Sequence, residues 1–438
     1  MMQFQKIVTS VCKFFIKSFS FRMGSFLAIT LLAWKVRFPF VFSKLYAEDG
    51  NFLLEDAKKY RFPKEFFRNE SGYSLLSNRI GGRFVSLFPL SYAPFVCALF
   101  AALCLSFLAA GIFKFNNLSS NNFGTRICLS LCFIFLPLSS FSAVGNVANL
   151  YIYFMTASAV FLFYKEKTKS EFLYKSLILF IAALSLPLTV FLLPILIHRS
   201  YLESKVIGFW KIQKSDFVFI LGLLLQLIFI VTTSLGNREP HAPQSLFKVI
   251  YLYLDRGIGI SMIPRWGFIS GSNSNPFYEN SLAIFHSISI RLLAVLLLLI
   301  SIGLLYLQTR SSLAKSLRSQ FVVIVLLGFI YSTLVGLFFN PEPRYMIFTS
   351  FLTCWVALLL LDSQHSVNLR NASIAYMLLV LLMGLTSSNH RSQGPLWNTE
   401  LAKAKHICLQ TNPESQIGIR TLPIDKVWEI TLTCKKIA

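Results

Sequence analysis

Leu292-Leu-Ala-Val-Leu-Leu-Leu-Leu-Ile-Ser-Ile-Gly-Leu-Leu-Tyr-Leu307 holds no charged residue. A run of this kind is apolar on every face of a helix, which suits burial or lipid and not a water-facing surface. In hydrocarbon the backbone must satisfy its own N–H and C=O groups, and a helix does so within one segment. At about 1.5 Å per residue, roughly 20 residues cross a core about 30 Å thick. Comparable runs occur at Tyr92–Phe113, Asp216–Thr233, Phe321–Phe339 and Tyr345–Leu361. Of 438 residues, 55% are hydrophobic and only 14% charged, where soluble domains carry about 25% charged residues. Mean hydropathy is +0.62. A soluble chain of this size lacks the interior to bury so many apolar helices. The sequence predicts an all-α polytopic membrane protein with the lipid bilayer as its solvent.

The net charge is +22, from 41 basic and 19 acidic residues. The basic residues lie mainly between apolar runs, where cytoplasmic loops meet anionic headgroups, so nucleic acid is not the expected partner. Lys6, Lys13, Lys17 and Arg22 precede the first run with no small-residue cleavage site, which reads as an uncleaved anchor. Spans are expected near 23–43, 92–113, 127–144, 148–164, 216–234, 289–308, 320–339, 345–361 and 371–387.

The segment 172–199 is interrupted by Ser185-Leu-Pro187 and by Pro194, and both its ends are basic. Short basic loops stay cytoplasmic, so it should double back near Pro187, each arm too short to cross alone. The reading is a bundle of about 11 transmembrane helices, N-terminus inside and C-terminus outside. The bundle occupies 1–387, with a first outer loop at 44–91 and a long outer loop at 235–288. A small periplasmic cap follows at 388–438. In that cap Trp428-Glu-Ile-Thr-Leu-Thr-Cys434 alternates as a short strand does. Cys408 and Cys434 lie in this polar tail and are the pair worth a disulfide argument; the other cysteines lie in or beside apolar runs and read as small hydrophobes.

The first outer loop opens Tyr46-Ala-Glu48-Asp49-Gly50-Asn51. Adjacent carboxylates at a membrane surface are costly to desolvate and usually have partners or a task. Gly50 permits a sharp turn, and Asn51 can cap the helix Phe52–Tyr60, which reads as interfacial with Lys58 and Lys59 snorkelling to headgroups. Arg79, Arg83 and Arg344 lie at the same outer interface, and an arginine fork suits phosphate oxygens. Ordinary interfacial anchoring is the plainer alternative for each. The six histidines are scattered without ligand spacing, so no metal site is indicated. Gly257-Ile-Gly259 lacks the context of a dinucleotide site.

These pieces together resemble the C-type glycosyltransferase superfamily of multi-span membrane enzymes, and most of all the phage and bacterial O-antigen glucosyltransferases that change serotype. Ala47-Glu48-Asp49-Gly50 resembles their first-loop acidic motif. Gly72-Tyr73, Arg79, Leu87-Phe88-Pro89-Leu90 and Ala93-Pro94 resemble the stretch before their second span. Asn146-Val-Ala-Asn149-Leu-Tyr151 is similar to an Asn-aromatic segment, and Ser185-Leu-Pro187-Leu-Thr to a broken helical hairpin. Arg344-Tyr345 resembles an Arg-Tyr pair opening a late span, and Cys408 and Cys434 around Trp428 resemble a C-terminal cap. Asn78 stands where the group has Pro, and Tyr151 where it often has Trp.

The resemblance implies an inverting transferase in a bacterial inner membrane, working on the periplasmic face. It would move a sugar, glucose in the closest group, from a polyprenyl-phosphate donor to O-antigen or another surface glycan. Asp49 would be the base, with Glu48 beside it as support or as an acceptor or metal ligand. Arg344, Arg79, Arg83 and Tyr345 would hold donor phosphate, and Tyr73, Asn149 and Tyr151 would line the substrate space. No cofactor is implied, though a divalent ion is compatible. An O-antigen polymerase or ligase and a lipid-linked sugar flippase are the competing functions.

Overall fold

The computed structural model describes residues 22–38, 40–45, 49–60, 66, 74–115, 123–135, 145–207, 212–232, 245–263, 268–270, 277–279, 284, 287–309, 315–338, 343–362, 367–383, 395–421 and 429–437. The described chain is mainly helical. Helix α1 covers 22–37, and a π-helical turn Asp49–Leu54 runs into α2 (Glu55–Lys59). Then follow α3 (Leu76–Ser86), α4 (Ala93–Phe115), α5 (Phe123–Phe135), α6 (Leu150–Phe163), α7 (Lys169–Ser185), α8 (Leu193–Ile207) and α9 (Lys214–Thr232). The expected long outer loop contains α10 (Leu246–Leu252), a π-helical turn Tyr253–Gly259 and α11 (Ile260–Met262), then the strands β1 (Phe268–Ser270) and β2 (Phe277–Glu279), which pair antiparallel. The helices α12 (Ile288–Thr309), α13 (Lys315–Phe338), α14 (Ile347–Asp362) and α15 (Val367–Met383) complete the helical body.

Two helices form its centre. Every side chain of α6 is buried, and so is nearly all of α14. The run quoted first, in α12, is the opposite: only 11% of its most apolar window is buried by the rest of the chain, against 83% for Arg344–Asp362. Leu293, Leu296, Leu297, Ile300, Leu304 and Leu307 are all exposed on it. In water so large a leucine face would be a liability, whereas lipid covers it without cost.

Five helices among the described residues are long and apolar enough to cross a membrane: Leu90–Phe115, Lys214–Thr232, Ile288–Gln308, Leu317–Leu337 and Arg344–Asp362. That is the pattern of a helical membrane protein. The expectation of about 11 full crossings is not met on this criterion. Phe123–Phe135, Val147–Phe163 and Arg370–Leu382 are apolar but have only 10–17 described residues each. Of the expected span 127–144, residues 127–135 are helical within α5, and 136–144 lie outside the described residues.

Helix α7 stops at Ser185, the chain makes a 3-10 turn over Pro187–Leu192, and α8 continues. Pro187 sits where its missing N–H costs nothing, at the first position of that turn. The two arms meet at their far ends. Lys175 of α7 lies 3.9 Å from Asp216 of α9, and Arg199 of α8 donates to the same carboxylate. Lys175 Nζ also donates to Gln213 Oε1 at 2.8 Å and Glu166 Oε2 at 3.2 Å. A chain that brings residues 175 and 199 to one carboxylate has doubled back between them. Helix α7 also packs closely on α9, where a Cβ on Gly222 would lie 2.8 Å from Ala183 Cβ.

At the C-terminal end, α16 (Trp397–Leu409), β3 (Gln416–Arg420), β4 (Glu429–Thr433) and α17 (Cys434–Ile437) make a small unit. Strands β3 and β4 are antiparallel, with Ile419 opposite Ile430, and Cys408 is disulfide-bonded to Cys434. Trp428 lies outside the described residues. Trp397 fixes the unit to the bundle: its backbone N–H donates to Ser43 O at 3.1 Å and its indole N–H to Leu90 O at 2.5 Å.

Candidate active site

The site is built around one short turn. Gly145 has φ +69°, the left-handed region, and a Cβ there would lie 2.4 Å from Val41 Cγ2. Glycine meets both demands. Asn146 is extended, and Val147–Asn149 then form a 3-10 turn leading into α6. Helix α3 lies against it so tightly that a Cβ on Gly81 would fall 2.2 Å from Val147 Cγ1.

Segments distant in sequence converge here. Ala148 N–H donates to Asp49 Oδ1 at 2.7 Å, across 99 residues, and Asp49 is 2% exposed. Ala148 C=O accepts from Asn78 Nδ2 at 2.5 Å. Asn149, fully buried, accepts from Arg344 Nη1 at 3.3 Å on Oδ1. Ser77 Oγ donates to Asn78 Oδ1 at 2.7 Å, and Ser77 N–H to Ser185 Oγ at 2.8 Å, at the break after α7. Asp49, Asn149 and Arg344, all singled out in the sequence, therefore share one turn. Arg344 is half-buried, with its guanidinium 5.4 Å from the ring of half-buried Tyr345. Tyr151 is buried in α6. Glu48 and Tyr73 lie outside the described residues.

Arg79 and Arg83 have other engagements. Arg79 Nη1 pairs with Asp56 Oδ2 at 3.0 Å, both side chains buried, and its Nε donates to Ser74 O at 3.2 Å. Arg83 Nη1 donates to Ala57 O at 3.1 Å. Their forks bind α2 to α3, where the sequence suggests phosphate ligands. An arginine already matched to a buried carboxylate would have to give up that partner to take another anion. Asp56 went unnoticed in the sequence because it reads as the polar face of an interfacial helix.

Lys58 also corrects an expectation. It donates to Ser86 O at 2.9 Å and does not snorkel outward. Burial, then the charges of Arg83 and of Lys436 in α17, hold its ammonium below the usual lysine range. Gly50 is not in the left-handed region, so it is required for space and not for a sharp turn: a Cβ would lie 2.7 Å from Ile430 Cδ1 and Cγ1. Helix α2 takes Leu54 as its N-cap with no side-chain cap.

Two further features were not legible in advance. The π-helical turn Tyr253–Gly259 packs against the turn Pro343–Met346 that carries Arg344. It is pinned by a buried ion pair, Arg291 Nη1 to Asp255 Oδ1 at 2.6 Å, and Gly257 fits closely on Thr349. Beyond Ser77 lies an apolar cavity of about 330 Å³, lined by Ile80, Phe100, Leu103, Phe107, Phe154 and Leu177 among others. Among the described residues no group of three His, Cys, Asp or Glu is placed to hold a metal ion. Compared with family models, curated proteins and solved structures, the chain matches none.

Proposed function

We propose that this protein is an inverting membrane glycosyltransferase of the C type, with about 11 membrane passes if the short apolar helices also cross. It takes a sugar, glucose by the resemblance, from a polyprenyl-phosphate donor to a surface glycan on the periplasmic face. One observation carries the reading: Asp49 and Arg344 are bound to successive residues, Ala148 and Asn149, of one turn. A carboxylate and a guanidinium at neighbouring positions are what this transfer requires.

In the reaction the acceptor hydroxyl oxygen bonds to the anomeric carbon as the bond from that carbon to the phosphate oxygen breaks. The hydroxyl proton passes to Asp49, and the leaving polyprenyl phosphate keeps the bonding pair. Arg344 faces the charge gathering on that phosphate, with Tyr345 beside it. Phosphate leaves readily, so no separate acid is needed. Arg79 and Arg83 act from behind, holding α2 to α3. The cavity beyond Ser77 is apolar in its lining and suits hydrocarbon.

Asp49→Asn keeps volume and removes basicity, so transfer from polyprenyl-phosphate glucose in purified bilayers should fall by about 10² to 10⁴ while donor still binds. Arg344→Ala should weaken donor binding and turnover together, because phosphate is present in ground and transition states. Near-normal transfer by well-folded Asp49→Asn would sink the proposal. A flippase is the second reading, favoured by the broken segments at Pro187–Leu192 and Tyr253–Gly259. It predicts donor that changes leaflet without being consumed.

A further inference from the structure

We propose that the C-terminal unit positions Asp49: strand β4, through Ile430 and Thr431, and α16, through Trp397, grip the acidic turn on both sides of the carboxylate. This rests on the reading of Asp49 as the base.

The contacts bracket residue 49. On the N-terminal side, Trp397 N–H holds Ser43 O at 3.1 Å. On the C-terminal side, Thr431 N–H donates to Glu55 Oε2 at 2.8 Å. Directly beside Asp49, Gly50 lies against Ile430 and, at 3.2 Å from a virtual Cβ, against Thr421 Cγ2. Ile430 is fully buried and held in register opposite Ile419. The two grips are not independent, because the Cys408–Cys434 bond ties the end of α16 to the end of β4. Ser43, Trp397, the disulfide, β4 and Glu55 thus close a ring around the turn. From the opposite side Ala148 N–H fixes the carboxylate itself. A unit that only covered the site would need neither a glycine at its contact point nor bonds on both flanks.

A general base must sit within hydrogen-bond reach of its proton, and a displacement of about 1 Å can cost 10²-fold in rate. Ile430 and Glu55 are positioning residues in this sense, acting through Asp49 and not on substrate.

The test is a size exchange in the full-length protein in lipid bilayers. Gly50→Ala places a methyl against Ile430 and should lower kcat by about 10²-fold with little change in donor KM. The acid limb of the pH–rate profile, which reports the base, should move. Gly50→Ala with Ile430→Ala removes both crowded atoms and should recover most of kcat and return the limb. Glu55→Gln, which keeps an acceptor for Thr431 N–H, should retain more activity than Glu55→Ala.

Hydrogen exchange of the Asp49–Leu54 amides gives a readout free of activity. It should quicken in Gly50→Ala and slow again in the double variant. Mass analysis of Cys408–Cys434 checks that the unit remains oxidised and folded. A double variant no better than Gly50→Ala in kcat and in exchange, with the disulfide intact, overturns the proposal. If Asp49→Asn is fully active while the exchange pattern holds, the assignment of the base has failed and the mechanical coupling stands.

Discussion

The turn carrying Asp49 and the cluster around Asp216 lie at opposite ends of α6 and α7, and each buries a carboxylate near an arginine. At Asp216 the charges meet directly: Arg199 and Lys175 both pair with the carboxylate, and Gln213 N–H adds a bond at 2.8 Å. At the other end Asp49 accepts from a backbone N–H, and Arg344 donates to the neutral amide oxygen of Asn149. A matched ion pair resists exchange, because either ion alone would be stranded in low dielectric. The bonds to Ala148 and Asn149 orient Asp49 and Arg344 on one turn. The first arrangement fastens three helices together, and the second aligns two charged side chains on successive residues.

The comparison breaks most readily at the carboxylates. Asp216→Asn should leave buried Arg199 without its carboxylate and cost about 3–5 kcal/mol of stability, read from the temperature at which buried Cys128 and Cys354 become open to alkylation. Asp49→Asn should leave that temperature nearly unchanged. Equal shifts in the two variants would erase the distinction. Arg79→Ala tests the same idea beside the site. If Arg79 serves Asp56, stability should fall by an amount in the same range while donor KM holds. A rise in donor KM without loss of stability would return Arg79 to the phosphate.

The smallest effect concerns acid. Burial alone would push Glu166 up, but Lys175 and the hydrogen bonds from Ser215 outweigh it and hold the carboxyl below the usual glutamate range. Because its folded value is depressed, Glu166 stabilises above its unfolded value, and the contribution is lost as pH falls through the folded one. Thermal stability should therefore decline below about pH 4, and Glu166→Gln should flatten that decline. An unchanged acid limb would mean that Glu166 is not matched to Lys175.

Local features were legible in advance. The uninterrupted leucines of α12, the break at Ser185-Leu-Pro187 and the cysteines in a polar tail each show their consequence within a few residues. Pairings across long separations were not. Asp49 finds its partner at Ala148, Glu55 at Thr431 and Arg291 at Asp255, and no period or composition marks such pairs. The number of crossings is less legible, because apolarity shows that a helix avoids water, while crossing also needs length, and five helices among the described residues meet both conditions. Arg79 shows the remaining limit, since arginine at an interface looks alike whether it awaits phosphate or already holds Asp56.

The grip on Ser43 and Glu55 also orders events in time. Residues 397–434 are synthesised long after residues 43–55, and they must be made and joined through Cys408 and Cys434 before the acidic turn can be enclosed as it is here. Until then the nascent bundle has its carboxylate without the frame that aims it. A chain stopped anywhere short of Cys434 would lack the Cys408–Cys434 bond that joins the two grips.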